Sequence, residues 1–81
     1  MVQIGSRGKM NQRRAQLRVR AKVLGLYVRE AMHDNGEVRM RLFTDPKADY
    51  WQGGHVYEAR TIYRAEAFII GYTAGKGLPP W

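Results

Sequence analysis

At 81 residues the chain suits one small domain, and with no cysteine it excludes a disulfide framework and thiolate metal sites. Fourteen Lys and Arg against seven Asp and Glu give a net charge of +7, with ten of the cations and only three of the acids in residues 1–41. That asymmetry points to an anionic partner, either nucleic acid (DNA or RNA) or an acidic protein surface.

Residues 1–14, MVQIGSRGKMNQRR, read as a flexible basic arm ending in Arg13 and Arg14. The GSRGK stretch lacks the four-residue glycine spacing and the Ser or Thr of a phosphate-binding P-loop. From Ala15 to Glu30 two periodicities compete. As a strand, Leu17, Val19, Ala21 and Val23 alternate with Arg18, Arg20 and Lys22, and the phase then flips at Gly25 as it would across a β-bulge. As a helix, Leu17, Ala21, Leu24, Val28 and Ala31 form one stripe, and Arg18, Lys22, Gly25 and Arg29 another. The valines, the central glycine and the hairpin signal that follows favour the strand.

That signal is His33-Asp34-Asn35-Gly36-Glu37, a three-residue loop with Gly36 left-handed. It sets Met32 opposite Val38, Glu30 opposite Met40 and Val28 opposite Leu42, so the apolar sets of both strands share a face. Asp45-Pro46 through Gly53-Gly54 reads as a loop, and His55–Arg60 as a short third strand. Thr61 is placed to cap a helix that Gly75 and Gly77 stop. This helix has two apolar arcs: Tyr63, Ala67, Ile70 and Ala74 on one side, and Ile62, Ala65, Phe68, Ile69 and Tyr72 on the other. The expected fold is α+β, a small antiparallel sheet made of a β-hairpin plus a short third strand, with one C-terminal α-helix on one face. The single domain would span 15–78, with 79–81 as a tail.

In that fold Arg18, Arg20, Lys22, Tyr27, Arg29, Arg39, Arg41 and Phe43 share the sheet face away from the helix. Planar guanidinium groups suit phosphate, and aromatics among them suit the bases of a single strand. Tyr50 and Trp51 in the loop would add a second stacking platform. Ile62, Phe68, Ile69 and Tyr72 are the candidate protein interface, for a homodimer or another target, because an ordinary surface helix has one apolar face.

The order of strands then helix resembles part of a double-stranded RNA-binding domain, whose lysine-rich helix start meets phosphates. Here Thr61–Ala65 carries only Arg64. The leading expectation is a non-enzymatic basic protein that engages nucleic acid. The alternative is a phage-type inhibitor seated on an acidic or nucleic-acid-binding groove of a larger complex. His33, His55, Asp45 and Asp49 supply no coherent set of nucleophile, base and oxyanion donor, and Ser6 is the only serine. No cofactor, metal or small-molecule substrate is expected. No apolar run reaches the roughly 20 residues of a membrane span and no secretory signal is visible, so the expected address is the cytoplasm, that of the host if the source is viral.

Overall fold

The computed structural model describes residues 2–79, with side chains from Met10 onward. The elements follow in the order α1 (Val2–Val23), β1 (Tyr27–Met32), β2 (Val38–Phe43), β3 (Tyr57–Ala59) and α2 (Ile62–Gly75). The strands form one antiparallel sheet in the order β1-β2-β3. It is an α+β fold with the expected hairpin, third strand and C-terminal helix.

The segment around Ala15–Val23 is helical, which corrects the preference for a strand. Its alternation satisfies both periods, but only the helical one gives Leu17, Ala21 and Leu24 a shared face. Spaced i, i+4, i+7, they are all buried, Leu17 and Ala21 completely. Val19 and Val23, core residues in the strand reading, are instead two-thirds exposed. Gly25 keeps its importance but changes its role. At φ 77° it is the left-handed residue that ends α1, with the Leu26 amide donating to Ala21 O at 2.8 Å and the Gly25 amide to Lys22 O at 3.0 Å. The segment expected as a loose arm belongs to the same helix from Val2, and Arg13 is anchored on α2.

The hairpin register is as read from the sequence. Met32 pairs with Val38, Glu30 with Met40 and Val28 with Leu42. The His33 amide donates to Glu37 O at 2.7 Å, closing a loop of Asp34, Asn35 and Gly36. Gly36 sits at φ 83°, and the Asn35 side chain accepts from the Glu37 amide. At the other end of the chain, Thr61 caps α2 through its hydroxyl, which accepts from the Arg64 amide at 3.2 Å. Gly77, left-handed at φ 69°, follows its end.

Both helices lie on one face of the sheet. Leu17, Ala21 and Leu24 of α1 meet Leu26, Val28, Met40, Leu42 and Ala59 from the sheet side, and Ile62, Ala65 and Ile69 of α2 complete the core. Tyr57, Phe68 and Tyr72 close its rim, with the Tyr57 and Phe68 rings stacked at 4.3 Å. This reverses the assignment of the two arcs of α2. Ile62 and Ile69 are core and Phe68 and Tyr72 pack against it, so the proposed interface arc faces inward, while Tyr63, Ala67, Ile70 and Ala74 stay exposed. Thr73 extends the inward arc because its buried hydroxyl is satisfied within the helix, donating to Ile69 O at 2.7 Å.

The opposite face of the sheet is covered by the β2–β3 loop: Arg29 donates to Ala48 O, Arg41 to Tyr50 O, and Ala48, Tyr50 and the strand residue Phe43 are all buried. No described helix is long and apolar enough to cross a membrane. Of the expected tail, Pro80 and Trp81 lie outside the described residues; the Pro79 carbonyl accepts from Arg20 at 2.7 Å.

Candidate nucleic-acid interface

The charge of the protein is divided unevenly between its elements. Helix α1 holds seven cations and no acid, and all other residues together hold seven of each sign. The whole excess of +7 therefore resides on one helix.

The residues expected to share an open basic sheet face do not do so. Strand pairing does put Tyr27, Arg29, Arg39, Arg41 and Phe43 on one side, with Tyr27 facing Phe43 and Arg29 facing Arg41. That side is occupied, however. Arg41 donates to Glu58 at 2.6 Å and to Tyr50 O at 3.1 Å, and its guanidinium lies 4.5 Å from the Tyr50 ring centroid. Arg39 bridges Glu37 and Glu58. Both arginine side chains are only 20% exposed. Arg29 donates to Ala48 O, Pro46 O and Val28 O, pinning the covering loop to the sheet. These cations hold the protein together, and the register that aligned them also brought Glu58 opposite Arg41.

The aromatic loop is likewise tied inward. Tyr50 is buried, its hydroxyl 2.6 Å from His33 Nε2, and its ring meets Trp51 edge-on at 4.8 Å. Trp51 itself remains two-thirds exposed. His55 lies edge-on to Phe43. Asp45 and Asp49 cap turns in their own loop by accepting from the Lys47, Trp51 and Gln52 amides. Among the described residues no three His, Cys, Asp or Glu gather as a metal site.

The Arg39–Arg41–Glu58 cluster has a pH signature. The hydrogen bond from Arg41, reinforced by Arg39, holds the Glu58 carboxyl below the usual carboxylate range. The bonds from Arg39 and then Asn35 do the same for Glu37. A depressed folded-state pKa contributes stability that is fully present above the unfolded value and is lost as pH falls through the folded one. Urea midpoints should therefore drop from roughly pH 4 downward. Glu58→Gln should lower the midpoint at pH 7 and flatten that acid limb; an unchanged limb would remove the cluster from the account.

What α1 presents is different. Arg13 makes a two-pronged pair with Glu66 of α2, both contacts 2.7 Å, and stands over Tyr63 at 4.5 Å; the Glu66 bond raises its pKa. On the other flank Arg14 and Arg18 converge on one carboxylate, Glu30 of β1. Arg18 and Arg14 are half and 40% exposed there. Lys22 is exposed, one turn beyond Arg18, with no carboxylate partner among the described residues. Asn11, Arg14, Arg18 and Lys22 follow at intervals of three or four, so they line one side of the helix.

Beside this flank α1 and β1 enclose a cleft of about 230 Å³, lined by Arg18, Lys22, Leu26, Tyr27, Val28 and Arg29. On the far side of α1, Gln12, Ala15, Gln16, Val19, Arg20 and Val23 bound a shallower groove of about 630 Å³.

Of the residues singled out in the sequence, the structure thus gathers Arg18, Lys22, Tyr27 and Arg29 around the α1–β1 cleft, with Arg14 beside Arg18 on Glu30. Arg41 and Phe43, the cross-strand neighbours of Arg29 and Tyr27, do not line it, nor do Arg39 and Tyr50, and Arg13 and Arg20 turn towards α2 and the C-terminal segment. Glu30 was missed. Its position four residues before the hairpin loop, on the parity of the inward set, was the available signal for a carboxylate facing the helices. No protein-family model, curated protein or solved structure matches the chain.

Proposed function

We propose that this is a non-enzymatic nucleic-acid-binding protein whose contact element is α1, with the flank of Asn11, Arg14, Arg18 and Lys22 turned to the phosphate backbone. The observation that carries the reading is the confinement of the entire net charge to one helix without an acid, on an otherwise neutral domain. A helix that repels itself in this way gains most from a polyanion, which replaces the repulsion and releases its own counterions. Glu30 and Glu66 offset only part of the charge, each being shared with or given to arginine. Arg14 and Arg18, both paired with Glu30, are oriented without being fully covered, which reduces the side-chain ordering that binding requires.

The test is the dependence of affinity on salt. Polarisation with a labelled oligonucleotide should give a straight line of log K against log salt, falling with a slope of about −3 for three or four phosphate contacts. A flat line would remove the phosphate backbone as the partner.

A second reading has its own observation. Val19 and Val23, each two-thirds exposed along the groove beside Arg20, form an apolar strip on a basic helix, which suits an acidic protein surface with an apolar centre. On that reading the protein is a small inhibitor or regulator of a larger assembly, and binding would weaken on Val19→Ser while the oligonucleotide affinity stayed the same.

A further inference from the structure

We infer that the cleft between α1 and β1 seats one nucleotide of a single-stranded nucleic acid, its phosphate on Lys22 and Arg18 and its base against the ring of Tyr27. The inference rests on the nucleic-acid reading of α1 and names the class of strand that reading leaves open.

The left-handed turn at Gly25 folds β1 back beside the end of α1, so that residues 18 and 22 face residues 26–29 across the cleft. Three cations line it, Arg18, Lys22 and Arg29, and Arg14 shares Glu30 with the first of them. Of these three, only Arg18 meets a carboxylate among the described residues, the shared Glu30. Arg29 is fixed by carbonyl oxygens alone, which orient its guanidinium without cancelling its charge. Lys22 has no acid to compensate it among the described residues.

The strand contributes a donor as well. Because the His33 amide donates to Glu37 O across the strands, the alternation of an antiparallel ladder turns the polar groups of residues 31, 29 and 27 to β2 as well, and those of Val28 and Glu30 to the open edge of the sheet. The bond from Arg29 Nη1 to Val28 O, 3.1 Å, lies on that edge. The Val28 amide is thus left out of the β1–β2 ladder on an edge where Val28 lines the cleft beside Arg29, an arrangement suited to an oxyanion.

Tyr27 decides the class of ligand. Its cross-strand neighbour Phe43 is buried, but Tyr27 itself is only partly covered and lines the cleft, with the Arg29 guanidinium 6.0 Å from its ring centroid. A ring flanked by cations offers a face to a base. In a duplex the faces of the bases are taken by their neighbours, whereas a single strand can splay one out. The size agrees: at about 230 Å³ the cleft falls below the roughly 300–1,000 Å³ of sites that enclose a whole drug-sized molecule, and matches one unit of a chain that continues outside.

The experiment uses the full chain, with a labelled 12-nucleotide oligo-dT and a labelled duplex of equal length, at about 50 mM salt. Tyr27→Leu should weaken oligo-dT binding roughly tenfold or more and leave duplex binding within about twofold, whereas Tyr27→Phe should bind as the parent does. Lys22→Gln should weaken both and reduce the salt slope by about 1. Thermal midpoints within a few degrees of the parent would show that the variants are folded.

Parent-like binding of oligo-dT by Tyr27→Leu, in a protein that does bind it, overturns the cleft while leaving α1 as the contact element. Failure of the parent to bind either probe overturns the reading of α1 itself. Sodium phosphate that strips oligo-dT from the parent as readily as from Tyr27→Leu, at matched ionic strength, would make the cleft a site for free phosphate and overturn the inference too.

Discussion

Leu17→Ala should destabilise the protein by about 2–5 kcal/mol. Leu17 is fully buried at the point where the middle of α1 meets both the sheet and α2. Its neighbours along the helix face are Ala21, which is too small to collapse into the space, and Arg14, which cannot enter an apolar cavity. The cost therefore lies with poorly relaxing sites rather than forgiving ones. For a chain of this size the total stability is on the order of 5 kcal/mol, so the variant should keep at most about 3 kcal/mol and, at the upper end of the loss, be substantially unfolded at room temperature. Urea unfolding followed by circular dichroism checks this. A loss below about 0.5 kcal/mol, the scale of a surface substitution, would mean that α1 does not dock as described.

The second large effect concerns binding. Asn11→Glu combined with Lys22→Gln lowers the net charge by two on the flank that carries Arg14 and Arg18. Gln12→Glu combined with Gln16→Glu lowers it by the same amount on the other side of the helix. All four residues are exposed, and none takes part in a carboxylate pair among the described residues. Stability should therefore change by less than about 0.5 kcal/mol in each double variant.

Oligonucleotide affinity at about 50 mM salt should fall by roughly tenfold or more for the first pair, since a repulsive charge near a phosphate and a lost contact add. It should fall no more than about threefold for the second, through the screened field alone. Equal losses would show that the partner senses only the total charge. The reverse order would transfer the contact to the side of Val19 and Val23.

Much of the fold was legible because short-range chemistry decided it. Asp34-Asn35-Gly36 offers a two-residue or a three-residue loop, and only the longer one puts the apolar sets of both strands on a common face, which fixes the register. Thr61 and the glycines after α2 act equally locally. Arg18-Val-Arg-Ala-Lys-Val23 was not legible, since its spacing fits a strand and a helix alike. What separates them is tertiary: a helix brings Leu17, Ala21 and Leu24 onto the face that α2 and the sheet leave open.

The site was misplaced for a related reason. Alternation correctly assigned Arg29, Arg39 and Arg41 to one sheet face, but nothing in the alternation shows that the loop from Thr44 to Val56 would fold across that face, or that Glu58 would arrive opposite Arg41. The three cations that survive as a group, Arg18, Lys22 and Arg29, are those the helical spacing had put on one stripe.

Because α1 holds the full surplus of positive charge and lies to one side of a neutral body, the centre of charge is displaced from the centre of mass. Such a molecule has a permanent electric moment, and the field of a distant polyanion exerts a torque on it as well as a pull. Towards such a partner it would approach already turned, with the helix leading, so that fewer collisions would be wasted on the wrong side. Added salt shortens the distance over which that turning acts.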